Sequence, residues 1–508
     1  MASSRQSEVE SPELGIIGWA RWFWRQLTSM RTALILLLCL AAAAIPGSVY
    51  PQRSADPNGV TQFLDNDPSL GKVLDSFQLF DVYTSIWFSA IYILLFVSLI
   101  GCVLPRARAH YRALRSQPPV APRLFSRMPA QKIVKSRKAN VVAVAEEILR
   151  KQGYRVQGTA NSVAAERGYL RETGNLIFHY ALIGVLVAVG WGGGLSYSGQ
   201  RVLVEGDTFV NNLTGYDSIS PGTFFNESQL TPLSVRLDKF QVTFDIQNKT
   251  NLGTPLDFRA TVTSKLGVDG KPSQAVIRVN EPLELPNAKV YLTGNGYAPV
   301  ITIRDLKGNV AFSGPTAFLP QDKNYTSLGV IKVPDAAKQF GLIAFFYPTA
   351  QELNTGALTS IYPDPINPTL TANVYVGDLG LDKGVPRNVY SLDISKMTQV
   401  AGGKSGVKGI RLDLHQTATL PNGLGTVSFD GLKRFISLDV SYNPGEGWIL
   451  FFALLALGGL VLSLLVPRRR VWVRKTADGF ELAALTRGDD PTLEKILEEL
   501  ADEIKRTK

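Results

Sequence analysis

The sequence predicts an integral membrane α-helical protein with four transmembrane helices, a large β-rich extracytoplasmic domain and a small α/β cytoplasmic domain. Three observations carry this. Four near-continuous apolar runs have membrane-spanning length. Basic residues are concentrated in one of the segments between those runs. A region of about 250 residues holds short alternating strand patterns between Gly, Pro, Asn and Asp clusters.

In chain order, residues 1–31 form a cytoplasmic segment, with Trp19, Trp22 and Trp24 interleaved with Arg21 and Arg25. That mixture suits an interfacial helix. It argues for a retained first span rather than a cleaved signal peptide, as does Pro46 inside "IPGSVYPQ", a poor cleavage site. The spans are 32–49, 85–104, 175–195 and 448–466. Between the first two lies an extracytoplasmic loop, 50–84, where Leu70, Val73, Leu74 and Phe77 recur at helical spacing.

Charge sets the orientation. Residues 105–174 hold 15 Lys and Arg against 4 Asp and Glu. Residues 50–84 hold 2 against 5, and 196–447 hold 22 against 22. By the positive-inside rule the basic segment is cytoplasmic, as are both flanking segments, 1–31 and the tail 467–508. The net charge of +10 is therefore explained by topology and anionic lipid, with no nucleic acid partner.

Within 105–174, "QKIVKS" reads as a strand. "NVVAVAEEILRKQG" reads as a helix that Asn140 can cap and Gly153 can end. "YRVQGT" and "SVAAERG" read as a hairpin. No nucleotide-binding motif is present. The region 196–447 reads as sandwich-like or curved antiparallel sheets. In "FISLDVSY", for example, Ile436, Leu438, Val440 and Tyr442 share one face.

The chemistry available is sparse. Cys39 and Cys102 both fall in spans, so there is no exposed reactive pair for thiol–disulfide exchange. His415 sits in "IRLDLHQTA", where Arg411, Asp413 and His415 alternate with Ile410, Leu412 and Leu414; the ordinary reading is a solvated strand face. No nucleophile motif joins it, and one histidine is not a zinc site. His110, among arginines just past the second span, reads as interfacial. No catalytic residue is assigned.

His179 differs, because an ionisable group inside a spanning helix is costly and usually functional. It lies five residues beyond Gly174, roughly 7 Å into the bilayer from the cytoplasmic side. Ala181, Gly184 and Ala188 lie nearly opposite it, forming a small-residue stripe suited to close helix packing. A proton relay would need further ionisable groups, and the cores of the spans contain no Asp, Glu, Lys or Arg. An imidazole is also a common axial ligand of haem iron, the one metal considered for His179. A second axial ligand would then come from a partner protein.

The stretches "LTSMRTALILLLCLAAAAIPGSVYPQ", "FDVYTSIWFSAIYILLFVSLIGCVLPR", "ERGYLRETGNLIFHYALIGVL" and "RFISLDVSYNPGEGWILFFALLALGGL" together resemble the ResB family. That family is the membrane subunit of the system II machinery for cytochrome c biogenesis. The resemblance implies four membrane helices, with a large extracytoplasmic domain between the third and fourth. It implies transiently bound haem b, a tryptophan-rich ResC/CcsA-type membrane partner and apocytochrome c. It further implies location in a bacterial cell membrane, in a complex that delivers and attaches haem, with this chain an accessory subunit. The third-helix histidine of the family matches His179. Arg167 and Arg171, just before the third span, are candidates to meet the haem propionates, beside their ordinary reading as topology anchors. The competing class is a membrane-anchored extracytoplasmic receptor or assembly scaffold without haem.

Overall fold

The computed structural model describes residues 15–138, 140–247, 252–381, 389–403, 405–488 and 490–507. The chain divides into two units, one built from 1–192 and 445–508 and the other from 193–444.

The first unit begins with α1, Ile16–Leu27, whose Trp19, Trp22 and Trp24 are exposed. Four helices are long and apolar enough to cross a membrane: α2 (Met30–Val49), α5 (Ile86–Arg115), α7 (Leu170–Leu195) and α8 (Glu446–Leu465). Between α2 and α5 lie α3 (Pro57–Asn66) and α4 (Pro68–Ser76), started by the side chains of Asp56 and Asp67. They fold over a small core of Val60, Leu74 and Phe80. Arg53 fastens it by ion pairs to Asp75 and Asp81.

Helix α5 packs against the turn between α1 and α2 where its side chains are small or can satisfy stray carbonyls. Ser98 Oγ donates to Leu27 O at 2.5 Å and Cys102 Sγ to Thr28 O at 2.9 Å. A Cβ on Gly101 would lie 2.1 Å from Thr28 Cγ2.

The rest of the unit is a five-stranded antiparallel sheet covered by α6 (Val141–Lys151) and α9 (Leu493–Arg506). Its strands, in spatial order, are Ala130–Lys135, Gly479–Thr486, Arg469–Thr476, Ser162–Arg167 and Arg155–Gly158. The strand, helix and hairpin expected within 105–174 are present. Asn140 is at the N-cap of α6 without a side-chain cap bond, and Gly153 follows it at φ +79°. Residues 467–508, read from sequence as a cytoplasmic tail, supply two of the three inner strands and α9. Val471, Val473, Phe480, Leu482, Leu497 and Ile504 are all buried in the shared core.

The second unit is two β-sandwiches on one spine. The spine is a long antiparallel pair, Ala288–Arg304 with Gly425–Tyr442, in register from Lys289↔Ser441 to Arg304↔Thr426. Register shifts at Leu292/Gly294 and Val300/Ile301 bend it. One half, carrying Val290, Ile436, Leu438 and Val440, faces a four-stranded sheet through Val235, Leu237 and Val262. The other half, carrying Tyr297, Ile301, Val427 and Phe429, faces a six-stranded sheet through Phe340, Leu342 and Phe346. Of the face expected for Ile436, Leu438, Val440 and Tyr442, Tyr442 is half-buried and the first three are fully buried. Each such side chain contributes about 1.5–3 kcal/mol.

Candidate functional site: a histidine in the third spanning helix

The third spanning helix is fixed along its length by close approaches that glycine permits. A Cβ on Gly174 would lie 2.7 Å from Gly459 O of α8, and one on Gly459 would lie 2.6 Å from Phe178 N. A Cβ on Gly184 would lie 2.4 Å from the Phe452 ring. Ala181 and Ala188 are buried at 0% and 4% exposure. The small-residue stripe is thus the packing face of α7. On another side, Tyr92 of α5 donates its hydroxyl to Leu186 O.

His179 is half-buried, one residue beyond the Gly459 contact. Its Nδ1 lies 2.7 Å from Asn175 O. A carbonyl can only accept, so Nδ1 is the donor in this bond, and the lone pair of the neutral tautomer it fixes is on Nε2. Nε2 has no hydrogen-bond partner among the described residues. Phe178 packs edge-on to the imidazole, with centroids 5.0 Å apart. The helix therefore holds the imidazole ring by its own backbone and leaves the outer nitrogen without a protein partner among the described residues.

His110, read from sequence as interfacial, is packed against the start of α7. Helix α5 continues through Pro105 to Arg115 and buries His110 to 9% exposure. Its Nε2 lies 2.9 Å from Thr173 Oγ1, and that hydroxyl donates to Tyr169 O. Nε2 is then the donor, and Nδ1 is buried without a partner. Arg411, Asp413 and His415 are likewise not a strand-face trio. Arg411 pairs with Glu352 at 3.4 Å, and Asp413 accepts from Thr369 Oγ1 at 2.8 Å. His415 is exposed in a turn at φ +67°. The strand ends at Asp413, because Gln416 N bonds back to Asp413 O.

At the base of α7 the structure shows a charged cluster. Glu166, 2% exposed, accepts from Arg468 Nε and Arg470 Nε at 2.8 Å through one oxygen, and from Tyr169 Oη at 2.8 Å through the other. Burial opposes its ionisation. The hydrogen bonds from Arg470 and Tyr169 and the charges of Arg468 and Arg470 outweigh it, holding the carboxyl below its ordinary range. Arg468 also reaches Glu172 at 2.9 Å, which Arg487 meets at 3.1 Å. Sequence reasoning missed this cluster. The available signal was "PRRR" after the fourth span opposite Glu166 and Glu172 at the start of the third.

The two arginine candidates have separate surroundings. Arg171 donates to Arg487 O beside Gly488. Arg167 donates to Gln152 O at 3.1 Å and stacks on Tyr154 at 4.9 Å.

Among curated relatives, the cytochrome c biogenesis protein CcsB of Synechococcus sp. (strain CC9311) is 30% identical over 272 residues, which are 52% of this chain and 58% of that protein. The CcsB of Microcystis aeruginosa (strain NIES-843 / IAM M-2473) is 25% identical over 302 residues, 56% of this chain and 62% of that protein. The CcsB of Synechococcus sp. (strain RCC307) is 29% identical over 283 residues, 54% and 60%. The chain thus spans about three fifths of the length of the relatives it matches. The profile of the ResB-like family matches residues 30–498, with all four spans and the whole second unit inside the match, so the chain belongs to the ResB-like family.

Proposed function

We propose that this chain is a subunit of a membrane complex that brings haem and apocytochrome c together on the extracytoplasmic face of a bacterial cell membrane. Haem b is its transient cargo, and His179 offers one axial ligand through Nε2. The observation that carries this is the Nδ1 hydrogen bond to Asn175 O, which orients the ring and leaves Nε2 as the nitrogen that can ligate iron. The residues fit the cargo: the imidazole is fixed, and the α8 packing face is elsewhere on the helix. A ResC/CcsA-type partner supplies the other axial ligand. Arg171, eight residues before His179, is the candidate for charge-assisted contact with the propionates. Arg167, the other candidate, stacks on Tyr154 and donates to Gln152 O. The second unit acts in docking rather than catalysis, because it lacks cysteine and its one histidine, His415, is a turn residue.

The test is His179→Ala, co-purified with the partner and read by visible absorption. Partner assembly and membrane level should be unchanged. The Soret band and holocytochrome yield should fall at least severalfold, with partial recovery in added imidazole. Full haem content and full maturation in His179→Ala would leave the histidine as a tolerated polar residue and defeat the reading.

A further inference from the structure

Between the base of α7 and the end of α8 there is a cleft of about 470 Å³ whose lining includes Arg155, Arg167, Tyr169, Leu170, Val466 and Pro467. Two guanidinium groups reach it, and both are held in place. Arg155 stacks on the Tyr169 ring at 5.0 Å and donates to Ser116 O at 3.1 Å. Arg167 stacks on Tyr154 and donates to Gln152 O.

Neither arginine is in an ion pair among the described residues, whereas the neighbouring Arg468 and Arg470 both are. The carboxylate in the lining, Glu166, is already taken by those two and by Tyr169. The cleft thus holds two oriented cations whose partners so far are neutral carbonyls and rings. Its other wall is apolar. Leu170 is the first residue of α7 and is 55% exposed, and Val466 caps α8. Gly168 closes the floor at φ +91°, where a Cβ would lie 2.2 Å from Pro467 O.

We propose that this cleft binds the phosphate of an anionic glycerophospholipid. Arg155 and Arg167 take the phosphate oxygens, and the acyl chains run along Leu170 and Val466 beside the spans. A guanidinium group suits a phosphate oxygen, and Arg155 and Arg167 line the cleft from opposite faces of the strand pair, since Arg155 is registered with Glu166 and Arg167 is the next residue. Their position at the ends of two spanning helices places them where headgroups lie. The apolar wall favours a tethered phosphate over a free one. The proposal does not rest on the haem reading. His179 is nine residues further along α7, roughly 13 Å away along the axis.

The full chain, delipidated in detergent, would be titrated with phosphatidylglycerol, phosphatidylcholine, inorganic phosphate and haem, with bound species counted by native mass spectrometry. One phosphatidylglycerol per chain should bind tightly, and phosphatidylcholine more weakly. Inorganic phosphate should not displace it. Arg155→Gln/Arg167→Gln should weaken that affinity roughly thirtyfold. Arg108→Gln, whose residue lies outside the cleft, should leave it unchanged. A thermal melt of the double variant matching the parent shows that the loss is of the site and not of the fold. Should that variant melt early, Arg155→Gln alone, exposed at its site, gives the same reading with a smaller loss. Equal phosphatidylglycerol retention in all variants would overturn the proposal. So would displacement by inorganic phosphate, or by haem, which would mark the cleft as a propionate site.

Discussion

His179 and His110 both lie in spanning helices, and their ring nitrogens are committed differently. His179 spends Nδ1 on its own helix and keeps Nε2; His110 spends Nε2 on Thr173 and buries Nδ1. If this difference is functional, His110→Leu should leave co-purified haem unchanged and cost about 1 kcal/mol from the lost hydrogen bond. Helix packing makes a second test. Gly459→Val would push a side chain into the Phe178 backbone next to His179. Overpacking of this kind costs about 1–3 kcal/mol, so a detergent melt should fall and the haem spectrum should broaden. An unchanged melt would mean that α7 and α8 do not pack this closely. The residue His179 was legible because a histidine among twenty apolar residues is conspicuous. The burial of His110 was not, because local sequence does not show that α5 continues through Pro105 to Arg115. His415 was misread for a local reason: alternation continues through it in sequence, but its positive φ turns the chain after Asp413.

At the scale of elements, the junction between α7 and the sheet depends on Glu166. Its pKa is lower folded than unfolded, so its stabilisation is full above the ordinary value of 4.5 and is lost as pH falls below that, through the folded value. Glu166→Gln should cost about 3 kcal/mol near neutral pH, since it leaves Arg468 and Arg470 short of a buried partner. The parent's melting temperature should drop as pH is lowered through that window, and the variant's should drop less. Parallel curves would show that Glu166 is not the titrating group. The spans themselves were legible because apolar length is a property of one segment. The cluster was not, because its members are separated by about 300 residues, from Glu166 to Arg468.

For the whole molecule, orientation is the open quantity that every functional step uses. A reporter active only in the cytoplasm should give signal when fused after Gln157 and none after Pro315. The reverse would place the β-rich unit inside and remove the basis for apocytochrome binding there. The β-rich unit was legible as a class from alternation and turn residues. Its double-sandwich arrangement was not, because the spine joins strands whose partners are about 140 residues apart, such as Tyr297 and Arg434.

The sheet shared by residues on both sides of the second unit also imposes a schedule on synthesis. Ala130 pairs with Ala484, so the outer strand meets its partner only after about 350 further residues emerge, roughly 20–70 s at ribosomal rates. Until then Val134 of that strand lacks its neighbouring strand, and the core begun by Val144 and Val163 lacks Val471, Val473, Phe480 and Leu497. A chain stopped after Val466 would have all four spans and the whole β-rich unit, yet leave that core open to proteases. Closure of this sheet thus works as a late checkpoint: it distinguishes a finished polypeptide from one that is merely inserted.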